Sequence, residues 1–330
     1  MQSVLVTGGA GYIGSHIVRR LQEDGHPVVV LDDLSEGHRE AVPAGLLHVG
    51  DFADRDLVRT ICRDHAVEYV VHMAANCQVG ESVVNPSKYY RNNLVNSLAF
   101  LEVVREAGVK GLVFSSTAAV YGEPVQVPIT EDHPTAPTNP YGETKLAFER
   151  ALSWYRKAYG LRYVALRYFN AAGADPEGDI GEDHAHESHL VPLLIRAAMN
   201  PTSPLKVFGT DYPTADGTCV RDYVHVSDLA AAHVLALGAM DRGEVGGASF
   251  NLGNGEGFSV REVIRAVEQV VGQPVPVEDG PRRDGDPAVL VASSLRIREA
   301  LGWDPRIADL PSIIRTAWNW HRRNPNGFNG

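Results

Sequence analysis

Short apolar runs alternate with longer amphipathic stretches through the first half of the chain. Ser3-Val4-Leu5-Val6-Thr7, Pro27-Val28-Val29-Val30-Leu31, Leu46-Leu47-His48-Val49, Glu68-Tyr69-Val70-Val71-His72, Gly111-Leu112-Val113-Phe114 and Tyr163-Val164-Ala165-Leu166-Arg167-Tyr168 all have strand length. Near-continuous apolar character is the pattern of strands buried on both faces. After the first run, Ile13, Ile17, Val18 and Leu21 recur at helical spacing. Strands alternating with helices predict an α/β fold built on a doubly wound parallel sheet. Such sheets bind ligands beyond the carboxyl ends of their strands. Asp32, Asp51, Ala74, Ala75 and Thr117 fall at those ends.

The first strand enters Gly8-Gly9-Ala10-Gly11-Tyr12-Ile13-Gly14, which satisfies G-x-G-x-x-G from Gly9 and G-x-x-G-x-x-G from Gly8. Glycine permits the tight turn and lets backbone N–H groups approach a pyrophosphate at a helix N-terminus. Alone the motif is weak, but strand, turn, helix and second strand follow in the required order. The second strand ends in Asp32-Asp33, with Asp32 eighteen residues after Gly14. A carboxylate there accepts hydrogen bonds from ribose hydroxyls and repels a 2′-phosphate, favouring NAD over NADP. The bland alternative for Asp32 is a solvated turn residue. The expectation is a Rossmann-type domain.

A second constellation is Asn139-Pro140-Tyr141-Gly142-Glu143-Thr144-Lys145. Asn suits an N-cap and Pro the first helical position, so a helix is expected to start here. Residues i and i+4 then share a face, which sets an ammonium beside a phenol. A free phenol has a pKa near ~10, and bringing it to about 7 takes roughly 4 kcal/mol of charge stabilisation. A lysine and a second positive charge could supply it. The pair also falls at this spacing by chance on many helices. Pro and Gly cluster at 122–140, 173–181 and 201–217. We place the dinucleotide domain at 1–170 and a smaller C-terminal α/β substrate domain at 171–330, with the chain free to cross between them.

At 330 residues with net charge −11, the composition is that of a globular protein with nucleic acid and anionic membranes disfavoured as partners. Any anionic substrate must be held by a few local cations. No apolar run approaches the ~20 residues of a membrane span, and a strand starting at residue 3 leaves no room for a signal peptide. Cys62, Cys77 and Cys219 are widely spaced, arguing against a disulfide framework or zinc site. A cytoplasmic enzyme is the simplest fit.

With these motifs together the chain resembles the extended short-chain dehydrogenase/reductase superfamily, and within it the UDP-glucose 4-epimerase family, nearly end to end. The most specific stretches are Thr7–His16, Leu166-Arg167-Tyr168-Phe169-Asn170, Gly178–Asp183 and Phe208–Val226. The resemblance implies a UDP-sugar substrate and tightly held NAD. Tyr141 would take the proton of the sugar 4-hydroxyl, hydride would leave C4, and a 4-keto sugar would turn before hydride returns. Lys145 and the nicotinamide charge would lower the Tyr141 pKa, and Thr117 would sit near the C4 oxygen. By position, Gly8, Gly11, Tyr12, Ile13, Gly14, Asp32, Asp33, Asp51, Phe52, Met73, Ala74, Ala75, Asn92, Ser115 and Tyr168 would line the cofactor, with Tyr141 and Lys145. Substrate contacts would come from Thr117, Ala118, Tyr141, Phe169, Asn170, His189, Leu190, Val207, Phe208, Arg221, Tyr223, Arg283, Asp286 and Leu290. Arg221 and Arg283 would clamp phosphates, as planar guanidinium forks suit. The family is commonly a homodimer.

Departures are informative. Cys77 stands where some family members carry a cofactor-contacting Lys, and His189 replaces an Asn. Leu290 falls where a bulky aromatic restricts some members to UDP-hexoses, so UDP-N-acetylglucosamine is a candidate substrate. No metal is expected, because His184, His186, Glu187 and His189 fit none of the usual zinc spacings. A 4,6-dehydratase needs an acid/base pair after Thr117, where Ala118-Ala119 stand instead. A 4-epimerase or decarboxylase of a UDP-pentose or UDP-uronate, and a non-catalytic NAD-binding protein, are the remaining alternatives.

Overall fold

The computed structural model describes residues 2–202, 204–283 and 286–329. The first half builds β1 (Val4–Thr7), α1 (Tyr12–Glu23), β2 (Val28–Asp32), β3 (Leu47–Val49), α2 (Arg55–Asp64) and β4 (Tyr69–His72). Short helices α3 (Val79–Val84) and α4 (Pro86–Tyr89) lead through a π-helical stretch, Tyr90–Asn96, into α5 (Ser97–Glu106). β5 (Gly111–Thr117), α6 (Pro140–Tyr159) and β6 (Arg162–Tyr168) complete this half.

The second half contains β7 (Asn170–Ala172), α7 (Leu190–Met199), β8 (Leu205–Phe208), β9 (Val220–Arg221), β10 (Tyr223–His225) and α8 (Val226–Asp241). It continues with β11 (Gly247–Leu252), β12 (Phe258–Ser259), α9 (Val260–Val271), β13 (Val277–Gly280), β14 (Val289–Leu290), α10 (Leu295–Leu301) and α11 (Leu310–Arg323). Among the described residues, seven strands form the main sheet in the order β11-β6-β5-β4-β1-β2-β3. Every pair in it is parallel. The predicted α/β doubly wound architecture is the one observed.

Period-2 alternation explains how the apolar strands use both faces. Val4, Val6, Tyr69, Val71, Val113, Val164 and Leu166 join one core with α1 and α8. Leu5, Val70, Leu112, Phe114 and Ala165 join the opposite core with α2, α5 and α6. Beyond residue 171 the chain crosses twice. α7, α9 and α11 enclose a third core with Val207 and Tyr223, whereas α8 returns to lie on α1 and β11 extends the main sheet beside β6.

α6 starts as its sequence dictates. Asn139 Oδ1 accepts from the Gly142 N–H at 2.9 Å, Pro140 opens the helix, and Gly160 closes it at φ 75°. Its inner face carries Glu149, which forms a buried ion pair with Arg167 of β6: Nε–Oε1 is 3.0 Å and NH2–Oε2 2.6 Å. Arg167 also donates to Tyr121 Oη at 2.8 Å, and Tyr121 to Asn251 Oδ1 at 2.6 Å. Removing one member leaves an uncompensated charge. Arg167→Met is therefore expected to lose about 3–5 kcal/mol of stability in urea unfolding, with Arg167→Met/Glu149→Leu recovering most of it. A single variant as stable as the parent would contradict this placement.

Candidate active site

The ends of five strands converge on one region. Thr7 pairs with Leu31 and His72, and Thr117 with Tyr168. The Gly8–Gly14 turn rises between β1 and α1, with Gly11 as the N-cap. Gly8 adopts φ +69°, and a Cβ there would meet the Ala74 amide nitrogen at 2.6 Å. A Cβ on Gly14 would strike the Gly8 carbonyl oxygen. The motif thus leaves a bare backbone cradle before the first N–H groups of α1, the cradle a pyrophosphate requires.

Asp32 lies at the end of β2 and is buried. Its Oδ2 accepts from the Ala10 N–H and Oδ1 from the Leu34 N–H, both at 2.9 Å. It holds Leu34 in a left-handed conformation, φ 61°, so the carboxylate shapes the rim as well as offering free lone pairs. Burial pushes its pKa up, partly offset by those two amides. Asp33 is exposed and caps Ser35, Asp51 is exposed and caps Ala53, and Phe52 is buried edge-on to His72. His72, neutral because burial lowers its pKa to about 3, bridges Thr7 Oγ1 at 2.7 Å and Ser97 Oγ at 3.0 Å.

Tyr141 and Lys145 meet the end of β5. The Lys145 ammonium donates to the Ser115 carbonyl at 2.7 Å and lies 5.8 Å from the Tyr141 ring centroid. Burial lowers its pKa to about 8, opposed by the charges of Cys77 and Glu149. Tyr141 differs from the sequence expectation. Burial raises its pKa and Cys77 adds to the rise, while a hydrogen bond with Thr117 pulls it back. The chain alone therefore holds a protonated phenol; Lys145, turned to a carbonyl, does not by itself make a phenolate. Cys77 is exposed yet its thiol is raised by burial, as expected of a side chain in a recess walled by protein.

The other cofactor-side residues gather nearby. Met73, Ala74 and Ala75 follow β4, with the Met73 and Ala74 amides on the Thr7 carbonyl at 3.0 and 3.1 Å. Tyr168 reaches Met73 Sδ at 3.7 Å and His233 Nε2 at 2.5 Å. Asn92 donates to Asn93, and buried Asn93 holds Asn76 through both its amide atoms, at 2.8 and 2.9 Å. Tyr12 Oη donates to the Gly173 carbonyl at 2.7 Å. The sequence carries no separate sign of Asn93 or His72. Glu149 was readable as the residue one helical turn beyond Lys145.

On the substrate side, Arg221 is ion-paired with Asp286 and donates to the Val220 carbonyl at 2.7 Å. Two residues expected to take different parts of a ligand are thus partners in the free chain. Arg283 is exposed and stacks on Phe208 at 4.1 Å. Phe169 and Leu290 each pack against the cluster of Val120, Tyr121, Ile129 and Leu146, and Ala118 is buried beside Thr117. Asn170 opens β7 half-buried, its N–H on the Asp222 carbonyl at 2.9 Å. Val207 and Tyr223 point into the third core, which limits them to a supporting part, and Leu190 packs on that core's edge. His189 is turned to Glu182. The cradle gives a direct test: Gly8→Ala is expected to cost on the order of 1–3 kcal/mol from its backbone conformation. It should also lower the dinucleotide retained through gel filtration, read from absorbance of the acid-released cofactor.

A family profile described as NAD dependent epimerase/dehydratase matches residues 4–253. A UDP-glucose 4-epimerase of Halalkalibacterium halodurans is 53% identical over 326 residues, covering 99% of this chain and 97% of its own. A crystal structure of a UDP-glucose 4-epimerase superposes with a TM-score of 0.95 at 50% identity, covering 99% of both chains. That of the Bifidobacterium longum UDP-glucose 4-epimerase, in complex with NAD+ and UDP, gives 0.93 at 38% identity, covering 99% of this chain and 100% of that one. Fold, glycine cradle and relatives agree: the chain belongs to the NAD dependent epimerase/dehydratase family.

Proposed function

We propose that this enzyme interconverts UDP-glucose and UDP-galactose with bound NAD. The observation that carries the reading is the meeting of Thr117, Tyr141 and Lys145 beside the Gly8–Gly14 cradle, in a chain about half identical to UDP-glucose 4-epimerases. The residues present fit a dinucleotide. Gly8, Gly11, Tyr12, Ile13 and Gly14 would hold its pyrophosphate, Asp32 and Asp33 its ribose, and Asp51 and Phe52 its adenine. Met73, Ala74, Ala75, Asn92, Ser115 and Tyr168 would flank the nicotinamide half. Bound NAD supplies a reversible hydride acceptor for the sugar C4 and, oxidised, a positive charge.

The chain's own residues manage the proton. Tyr141 accepts it from the 4-hydroxyl and returns it, and Thr117, hydrogen-bonded to the phenol, keeps it aimed at that oxygen. Lys145 is largely charged at neutral pH and stabilises negative charge on the phenol. Ala118-Ala119 offer no second acid/base pair, so elimination has no agent and the chemistry stays at C4. In a chain of net charge −11, Arg221 and Arg283 are the cations for a diphosphate, with Arg221 exchanging Asp286 for phosphate and freeing that carboxylate for a ribose. Phe208 would bound the base, with Val207 and Tyr223 behind. Phe169, Asn170, His189, Leu190 and Leu290 would surround the sugar and diphosphate.

Two wider assignments belong to this reading. A homodimer is supported by apolar residues left exposed near α6, among them Val95 at 59% and Trp154 at 65% exposure. A cytoplasmic location is supported by the absence, among the described residues, of any helix long and apolar enough to cross a membrane. The domain division proposed is 1–170 and 171–330, with residues 226–252 crossing back.

Tyr141→Phe tests the central claim. It should keep NAD bound and cut turnover of UDP-galactose by at least ~100-fold, the scale of general-base catalysis; a near-parental rate would refute the role. Leu290, smaller than an aromatic and packed on the same small apolar cluster as Phe169, supports weak turnover of UDP-N-acetylglucosamine. In a panel with UDP-glucose, UDP-xylose and UDP-glucuronate, Leu290→Tyr should abolish the N-acetyl activity and spare UDP-glucose. No detectable N-acetyl turnover by the parent would reject this assignment.

A further inference from the structure

The loop before α7 holds a cluster that its sequence spacing did not reveal. Folding changes the membership of the His-rich stretch. Glu182 joins from outside it, while His186 stays exposed and offers its backbone carbonyl to Gln78 at 3.1 Å. One ligand atom from each of Glu182, His184, Glu187 and His189 lies within 4.8 Å of all the others. We propose that these four residues bind one divalent transition-metal ion, zinc by their chemistry.

Three of the four nitrogen–oxygen spacings lie near those of a coordination shell, and the fourth, His189 to Glu182, is a direct contact that an ion would open. A tetrahedral ion with bonds of about 2.1 Å separates its ligands by roughly 3.4 Å. His184 Nδ1 lies 3.2 Å from Glu187 Oε2 and 3.5 Å from Glu182 Oε1. His189 Nδ1 touches Glu182 Oε1 and is 3.8 Å from Glu187 Oε1. Each imidazole nitrogen therefore faces two carboxylates at once.

Charge and supporting contacts point the same way. The Glu182 and Glu187 side chains are only 4% and 1% exposed, so two carboxylates stand side by side out of water. They need positive charge within reach. With no ion bound, the imidazoles supply it: burial opposes their protonation, but the two carboxylates outweigh it and raise both pKa values. One divalent ion with two neutral imidazoles would take the place of those two protons. Glu187 Oε1 accepts from the Ser188 and His189 N–H groups at 2.7 and 2.8 Å, which fixes that carboxylate and presents Oε2 to the centre. The Tyr12 ring lies edge-on to His184, 6.3 Å between centroids. Two nitrogens and two carboxylate oxygens suit zinc; magnesium and calcium prefer six or more oxygens. The ion would tie the loop that starts α7 to Tyr12 at the start of α1. With Nδ1 on the metal, His189 would keep its opposite nitrogen, Nε2, as a donor.

The experiment uses the full chain with its affinity tag removed and no chelator in purification. Plasma mass spectrometry should find about one zinc per chain after dialysis. Dipicolinate-stripped protein, titrated calorimetrically, should bind ZnCl2 but not MgCl2, and CoCl2 should give the visible bands of four-coordinate cobalt. Zinc at about a hundred times its Kd should raise Tm by roughly 4 °C. His184→Gln and Glu187→Gln should each weaken zinc at least ~100-fold, more than loss of an outer-shell partner does. His186→Gln should bind as the parent does. Absence of zinc binding by the parent overturns the proposal whatever the variants do, and full affinity in both His184→Gln and Glu187→Gln overturns it too.

Discussion

The Glu149–Arg167 ion pair is the constraint on which the site depends. It is buried where α6 crosses β5 and β6, and it is linked to Ser116, Tyr121 and Ser249. Replacing such a pair with apolar residues of like volume is often neutral for stability, so strength alone does not explain it. Position does. Glu149 is one turn beyond Lys145 and two beyond Tyr141 on the same helical face. Fixing its carboxylate on Arg167 fixes the rotation of α6, which in turn delivers the ammonium to the Ser115 carbonyl and the phenol to Thr117. The network reaches further through Tyr121 to Asn251, whose amide donates to the Ile129 carbonyl at 2.9 Å. Ile129 is itself bridged to Val291 and Ser293, at 2.8 Å each, just after Leu290. One buried pair therefore orients α6, with Tyr141 and Lys145 on it, and is connected to the strand bearing Leu290.

The same burial that gives the site its geometry sets its electrostatics. A phenol deep in protein resists ionisation, and an ammonium there gives up its proton more easily; both follow from loss of water. Tyr141 and Lys145 thus start further from a phenolate–ammonium pair than their sequence spacing suggests. The Thr117 hydroxyl offsets only part of this. On the proposed reading, the positive charge of oxidised NAD would complete what Lys145 and Thr117 leave undone.

Much of this was legible from local pattern. The strands, the α1 turn and the Asn139 cap of α6 depend on residues within a few positions, and each formed as its sequence indicated. What escaped depends on pairs far apart in sequence. β11 joins the main sheet beyond β6, although its residues follow ones belonging to the third core. Asp222, buried with a pKa raised by burial to about 6, accepts from the Asn254, Gly255 and Ala292 amides at 2.7, 3.0 and 3.1 Å. Within Arg221-Asp222-Tyr223 it reads only as a carboxylate beside an arginine. The π-helical turn at Tyr90–Asn96 has no local signature either. Its residue Asn93 does its work on Asn76, seventeen positions away.

Membership of the Glu182–His189 cluster illustrates the same limit in chemical terms. Zinc spacings assume ligands on one helix or paired across a tight turn, where sequence separation determines direction. In an irregular loop each side chain is aimed by its own backbone, so His184 turns to Glu187 while His186, two residues on, stays exposed. Substrate-side residues follow a related logic. Leu290 pairs in register with Arg221 across β14 and β9. Arg221 is tied to Asp286. Backbone pairing makes Leu290 and Arg221 neighbours, whereas Tyr141 hangs from α6 and Thr117 from β5. On the proposed reading, changes in the strand pair would alter which sugar is held, while the groups assigned to its proton stay on separate elements.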